Sequence, residues 1–178
     1  MSAAPERFHG LVGQGVAAID TPALVIDLDA MERNLHRLAD WCQARGLRLL
    51  TVGPDGEALK LVKRIPTLLG QTLTVERDGK ATEVKLPLIG GYQAANALVA
   101  AALAMATGGD PAKTLADLSR IAGVRGRLER AVLTQAGAPV YVDYAHTPDA
   151  LEAAIAALRP HTANRLILVF GCGGDRDR

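Results

Sequence analysis

The chain has 178 residues, 49% of them hydrophobic and 22% charged, which gives room for one domain or parts of two and excludes a disordered tail. Twenty Lys and Arg against nineteen Asp and Glu leave a formal net charge of +1, so no general field attracts nucleic acid or an anionic membrane. Aromatic residues at 3% are too few for an RNA-stacking platform. Cys42 and Cys172 form neither a metal spacing nor a disulfide framework. The longest apolar helix candidate, 97–106, falls short of the roughly 18 residues of a membrane span. With no apolar signal core at the N-terminus, a cytoplasmic setting is expected.

In chain order, Ala23 to Leu28 is a branched apolar run with the pattern of a buried strand. Asp29-Ala-Met-Glu32 then opens a helix in a capping-box-like way, with Met31, Leu35, Leu38 and Cys42 on one face and Gly46 as its stop. Leu47 to Val52 reads as a second strand, which makes a strand–helix–strand unit. Leu73 to Arg77 and Lys80 to Leu86 flank Asp78-Gly79, the dipeptide of a type I′ turn, and predict a hairpin with Leu73 opposite Val84. Gln93 to Thr107 is a small-residue helix ended by Gly108-Gly109. Asp110-Pro111 opens the next helix, whose apolar face is Leu115, Leu118 and Ile121. Ala138 to Tyr144 is a strand, Thr147-Pro148 caps a helix running to about Leu158, and Arg165 to Phe170 is a second buried strand, parallel to the first by the crossover rule. The fold class is α/β: a Rossmann-like parallel strand–helix–strand unit at the C-terminus, a β-hairpin plus helices in the middle, and a short strand–helix–strand unit at the N-terminus.

Three groups of residues carry possible chemistry. Asp143-Tyr-Ala-His146 lies where a strand meets a helix N-terminus, the edge at which open sheets bind ligands; the alternative is a capping loop with a surface histidine. Gly171-Cys-Gly-Gly-Asp175-Arg176 follows a buried strand, where glycines admit phosphate or ribose and Asp175 and Arg176 reach its oxygens; the alternative is a charged tail. Gly126-Arg127 sets a five-donor guanidinium on a linker, able to reach a nucleotide or to remain solvated. No G-x-x-x-x-G-K-[ST] run occurs, since Gly79-Lys80 is followed by Ala81 in a hairpin turn. His36, between Arg33 and Arg37, is expected to be solvated, and Trp41 to be a packing residue.

Four ordered runs carry a resemblance. They are Leu86-Pro-Leu-Ile-Gly-Gly-Tyr-Gln-Ala-Ala-Asn96, Gly123-Val-Arg-Gly-Arg-Leu-Glu129, Val142-Asp-Tyr-Ala-His-Thr-Pro148 and Phe170-Gly-Cys-Gly-Gly-Asp-Arg-Asp-Arg178. Over about residues 50–178 the chain resembles the Mur ligases, in the branch that adds the third residue of the peptidoglycan stem peptide. The resemblance implies the end of the central ATPase domain over 50–124 and the start of a C-terminal Rossmann-like domain over 125–178, cut short at Arg178. It implies ATP and Mg²⁺ as cofactors of the complete enzyme, with UDP-N-acetylmuramoyl-dipeptide and an amino acid as its substrates. It assigns Gln93 to adenine, Asn96 to the family's second asparagine, and Arg127 to the nucleotide. Asp143 and His146 fall in the loop that closes over ATP, with Asp175 and Arg176 beside it. No catalytic set is complete, no metal ligand is assigned, and the isolated chain is not expected to turn over.

Residues 1–49 instead resemble the start of the D-threonine aldolase and D-serine dehydratase-like barrels, through Ile19-Asp-Thr-Pro-Ala-Leu-Val-Ile-Asp-Leu-Asp-Ala-Met-Glu-Arg-Asn-Leu35. That family's Schiff-base lysine follows this helix, but here Leu49-Leu-Thr-Val-Gly53 follows, so pyridoxal phosphate is not expected. The sequence therefore reads as a junction of two families near 44–50. A pyridoxal-phosphate aldolase or dehydratase fragment and a non-catalytic nucleotide-binding module stand as the alternatives to a ligase.

Overall fold

The computed structural model describes residues 27–171, which divide into two units at 49/50. In the first, α1 spans Leu28–Ala44. Its N-cap is Asp27 rather than Asp29: Asp27 is extended, and its carboxylate accepts the Ala30 N–H at 2.9 Å. Asp29 moves into the first turn, where a negative charge suits the positive end of the helix dipole. Asp27 and Leu28 thus belong to a helix and its cap, and residues 23–26 of the expected strand lie outside the described residues. The helix stops at Gly46 as expected, with φ at 66°. The Gly46 and Leu47 N–H groups turn back onto the Gln43 and Cys42 carbonyls, the two bonds of a Schellman motif. His36 is exposed. Trp41 is 47% exposed with the Arg45 guanidinium 4.1 Å from its ring centre, so it does not pack as expected.

The second unit is built on a four-stranded sheet in the order β1 (Val52–Gly53), β2 (Leu59–Thr67), β3 (Gly70–Arg77) and β4 (Lys80–Leu86). Of the strand expected over Leu47–Val52 only Val52 joins the ladder, parallel to Leu59. Just before it, Thr51 accepts the Ala58 N–H on its carbonyl and the Glu57 N–H on its hydroxyl. The β3–β4 hairpin has the expected register, Leu73 opposite Val84. Asp78 and Gly79 both take positive φ, 51° and 74°, as a type I′ turn requires.

One face of the sheet buries Leu59, Leu73, Val75, Val84 and Leu86 against α2 (Gly91–Ala106), whose Ala94, Ala97, Leu98, Ala101 and Ala102 make the contact. Small side chains let the helix axis approach the sheet closely. Leu115 of α3 (Pro111–Asp117) and Leu118 of the 3₁₀ turn that follows complete this core. Asp110 caps α3 by accepting the Lys113 N–H at 2.7 Å. Asp110→Ala should therefore lower stability by about 1 kcal/mol in urea denaturation; a change below about 0.3 kcal/mol would show that tertiary packing alone holds α3.

Toward the C-terminus, β5 (Glu129–Leu133) pairs antiparallel with β6 (Pro139–Val142), and α4 spans Pro148–Leu158 with Thr147 as its cap. The class is α/β, with a helix where it was expected, but the parallel pair of the expected C-terminal unit is not present in detail. The strand over Ala138–Tyr144 appears as β6 with β5 as its neighbour, and 165–170 forms no strand. Parallel strands are stable when both faces are covered. Here Ile167, Val169 and Phe170 are 69%, 91% and 65% exposed, and no covering layer lies over them among the described residues.

Candidate functional site

The first turn of α2 carries Gln93, a polar side chain buried to 8% exposure. Its Nε2 donates to the Arg127 carbonyl at 3.1 Å, which ties the helix to the linker before β5. That linker folds tightly: the Arg127 N–H reaches the Val124 carbonyl at 3.1 Å, and the Gly126 N–H reaches a Glu129 carboxylate oxygen at 2.9 Å. Leu128 then adopts φ 46°, a left-handed conformation costing a bulky residue about 1–2 kcal/mol. Two contacts hold it there. Its side chain is buried, and its N–H donates to Asp143 Oδ2 at 2.9 Å. The other oxygen, Oδ1, accepts the Ala145 N–H at 2.8 Å. Asp143 therefore closes its own loop and clamps it to the linker.

The clamp sets the Arg127 guanidinium 5.5 Å from the Tyr144 ring centre, within the range of a cation–π contact. Tyr144 meets His146 edge to face at 5.0 Å, and the His146 Nδ1–H donates to the Tyr144 carbonyl at 2.8 Å. Arg127, Tyr144 and His146 are all exposed, so a cation, a phenol ring and an imidazole face solvent together. Of the residues the sequence singles out, Gln93, Arg127, Asp143 and His146 are brought into one connected group. Asn96 stands one turn further along α2 and is exposed. Asp175 and Arg176 lie outside the described residues.

Three side chains at this site were not singled out from sequence. Tyr92 lies within the field of Asp143 and Arg127; partial burial pushes its phenol up to about 12, Asp143 adds to the rise, and Arg127 opposes it. It is a neutral donor at physiological pH. Gln71, 2% exposed, donates from Nε2 to both the Leu88 and Gly90 carbonyls at 2.9 Å, fixing the turn that leads into α2. His161 reaches the same turn from the other side. Only Tyr92 had a sequence signal, its place beside Gln93 in the Gly-Gly-Tyr-Gln run.

The exposed trio fits part of a nucleotide: a ring for stacking and a guanidinium for ribose or phosphate oxygens. Gln93 has one amide hydrogen committed to Arg127, which leaves the other and its carbonyl oxygen for a base. Among the described residues no three His, Cys, Asp or Glu side chains are close enough to hold a metal, and both Asp143 oxygens already accept backbone N–H groups.

The family described as Mur ligase, glutamate ligase domain, matches residues 126–178. The UDP-N-acetylmuramoyl-L-alanyl-D-glutamate–2,6-diaminopimelate ligase of Zymomonas mobilis is 57% identical over 136 residues, 76% of this chain and 28% of the relative. Residues from about 50 to 178 resemble the Mur ligases. A solved structure of a UDP-N-acetylmuramoyl-L-alanyl-D-glutamate–2,6-diaminopimelate ligase is similar to the Mur-ligase-like segment with a TM-score of 0.59 and 30% identity, covering 74% of this chain and 27% of that one. The Chelativorans ligase of the same name is 44% identical over 156 residues, 88% of this chain and 32% of the relative. A match of that extent includes part of residues 1–49, so likeness to a Mur ligase crosses the junction expected near 44–50. The chain spans between a quarter and a third of the length of these curated relatives. Among the described residues no helix is long and apolar enough to cross a membrane.

Proposed function

We propose that the Mur-ligase-like segment is the nucleotide-facing junction of an ATP-dependent ligase that adds the third amino acid, diaminopimelate, to UDP-N-acetylmuramoyl-dipeptide in the cytoplasm. In this reading 50–124 is the end of the central domain and 125–178 the start of the C-terminal one. The observation that carries it is the bond from Gln93 to the Arg127 carbonyl, which joins the two parts, with the Leu128 bond to Asp143 holding the linker beside it. The names of the relatives support diaminopimelate as the amino acid.

The proposed chemistry activates a carboxylate with the terminal phosphate of ATP and then condenses it with an amine, so charge must be stabilised on a transferring phosphoryl group. Arg127 supplies a planar cation to the nucleotide oxygens, Tyr144 and His146 a surface beside it, and Gln93 an amide at the base. Asp143 positions Arg127, Tyr144 and His146 through its bonds to the linker and to its own loop. Magnesium, held by residues other than this group, would supply further charge stabilisation in such a reaction. The 178 residues contain no phosphate-cradling G-x-x-x-x-G-K-[ST] run, so by themselves they are not expected to hydrolyse ATP.

The affinity follows from the same inventory. Two or three hydrogen bonds, one or two of them to charge, gross about 4–7 kcal/mol. Immobilising the ligand costs several kcal/mol of that, and even a millimolar Kd needs about 4 kcal/mol net. Calorimetry on this chain should therefore find ATP binding at millimolar strength or weaker, with no phosphate release. Arg127→Ala should weaken it further, whereas Arg33→Ala, on α1, should leave it unchanged. Micromolar affinity would overturn the reading, because it requires a phosphate site absent from this inventory.

A further inference from the structure

His161 is a buried side chain to which the proposed function gives no role. It ends the 3₁₀ turn Arg159–His161 that follows α4, and it is 6% exposed. Its Nδ1 lies 2.8 Å from the Thr67 carbonyl at the end of β2. A carbonyl can only accept, so Nδ1 carries the proton and Nε2 is left as an acceptor. Nε2 receives the Gly90 N–H at 3.1 Å. One ring thus joins the C-terminal helix to the central sheet on one side and to the start of α2 on the other.

The second bond bears directly on the site. Gly90 is the N-cap of α2, has φ 87° and ψ 144°, and receives no side-chain cap from the helix sequence. Its carbonyl is held by Gln71 and by the Gln93 N–H, and its own N–H is held by His161. Two residues later comes Tyr92 and then Gln93, whose amide meets the Arg127 carbonyl. The end of α4 presses on the same point, since a Cβ on Gly90 would lie 3.1 Å from the Ala157 Cβ. Peptide orientation at Gly90 fixes where the first turn of α2 points, and a glycine supplies no side chain of its own to do so.

We infer that His161 is a positioning residue for the nucleotide site: through Nε2 it orients Gly90, so that the Gln93 amide meets the Arg127 carbonyl. The inference rests on the proposed function for what the site binds, but not for the coupling between His161 and Gln93.

Two conservative variants separate positioning from mere packing. Asn in place of His161 reproduces the Nδ1 donor toward Thr67, whereas Gln reproduces a group at the Nε2 position able to accept from Gly90. Both are tested in the 178-residue chain by nitrogen-edited NMR of the Gly90 amide and the Gln93 side-chain amide, with thermal unfolding and an ATP titration read at Arg127. His161→Gln should keep both amide signals at their wild-type shifts. His161→Asn, at a similar Tm, should release both and weaken ATP by about 5-fold, the equivalent of one net hydrogen bond. If the two variants move the Gln93 amide equally, or neither moves it, His161 only packs and the inference is overturned. If ATP shifts nothing in the wild-type chain, the nucleotide reading fails, while the Gln93 comparison still decides whether His161 positions it.

Discussion

Leu98→Ala should destabilise the second unit by about 3–4 kcal/mol, in the upper part of the range for truncating a buried leucine. Leu98 is fully buried, and it is the one large apolar side chain among the buried residues of α2. Its neighbours along that face are alanines, which cannot reach into the space left behind. The opposing Leu59, Leu73 and Leu86 sit on hydrogen-bonded strands and are themselves fully buried, so the sheet cannot bend to fill it either. Cost rises with residual cavity volume, and this site is poorly able to collapse. Leu103 on the same helix is 62% exposed, so Leu103→Ala should stay within about 0.5 kcal/mol of wild type. Urea midpoints at an unchanged m-value report both. A loss at Leu98 below about 1.5 kcal/mol would mean that α2 and the sheet repack as a unit.

What the sequence makes legible is what local chemistry decides. Asp78-Gly79 specifies the β3–β4 hairpin and its register because both central positions need positive φ. Asp110-Pro111 and Thr147-Pro148 specify where α3 and α4 begin because a side-chain acceptor and a missing N–H suit a first turn. The strands β2 and β5 escape such a reading. In β2, Lys60, Lys63 and Arg64 interrupt the alternation, and a bulge between Leu61 and Lys63 shifts its phase. In β5, five residues and another bulge leave no period to detect. The apolar run over 165–170 shows the converse: a strand-like composition does not make a strand without a neighbouring ladder. At the site, resemblance names Gln93, Arg127, Asp143 and His146, and the structure joins them. Gln71 and His161 are invisible to that reading because the backbone groups they hold are 17 to 94 residues away.

Asp143→Ala should cost about 2–3 kcal/mol and, unlike a core truncation, should also disperse the Arg127–Tyr144 pair. Both oxygens accept backbone N–H groups, Leu128 on one side and Ala145 on the other. Hydrogen bonds to a charged acceptor contribute about 1.5–3 kcal/mol each when shielded, and the half-buried position of Asp143 reduces the sum. A second contribution comes from the backbone. Leu128 stays at φ 46° because its N–H is captured; without that bond, relaxation toward negative φ recovers about 1–2 kcal/mol of strain. Relaxation swings the linker, and Arg127 precedes Leu128 directly. The guanidinium should then leave the Tyr144 ring, and the Gln93 amide should lose the Arg127 carbonyl. Asp143→Asn keeps a single acceptor oxygen and turns a donor toward the second N–H, so it should fall between Ala and wild type in stability. The readouts are urea unfolding and the NMR signals of the Gln93 side-chain amide and Tyr144 ring. Loss of stability with both signals unchanged would show that the linker holds its shape without Asp143.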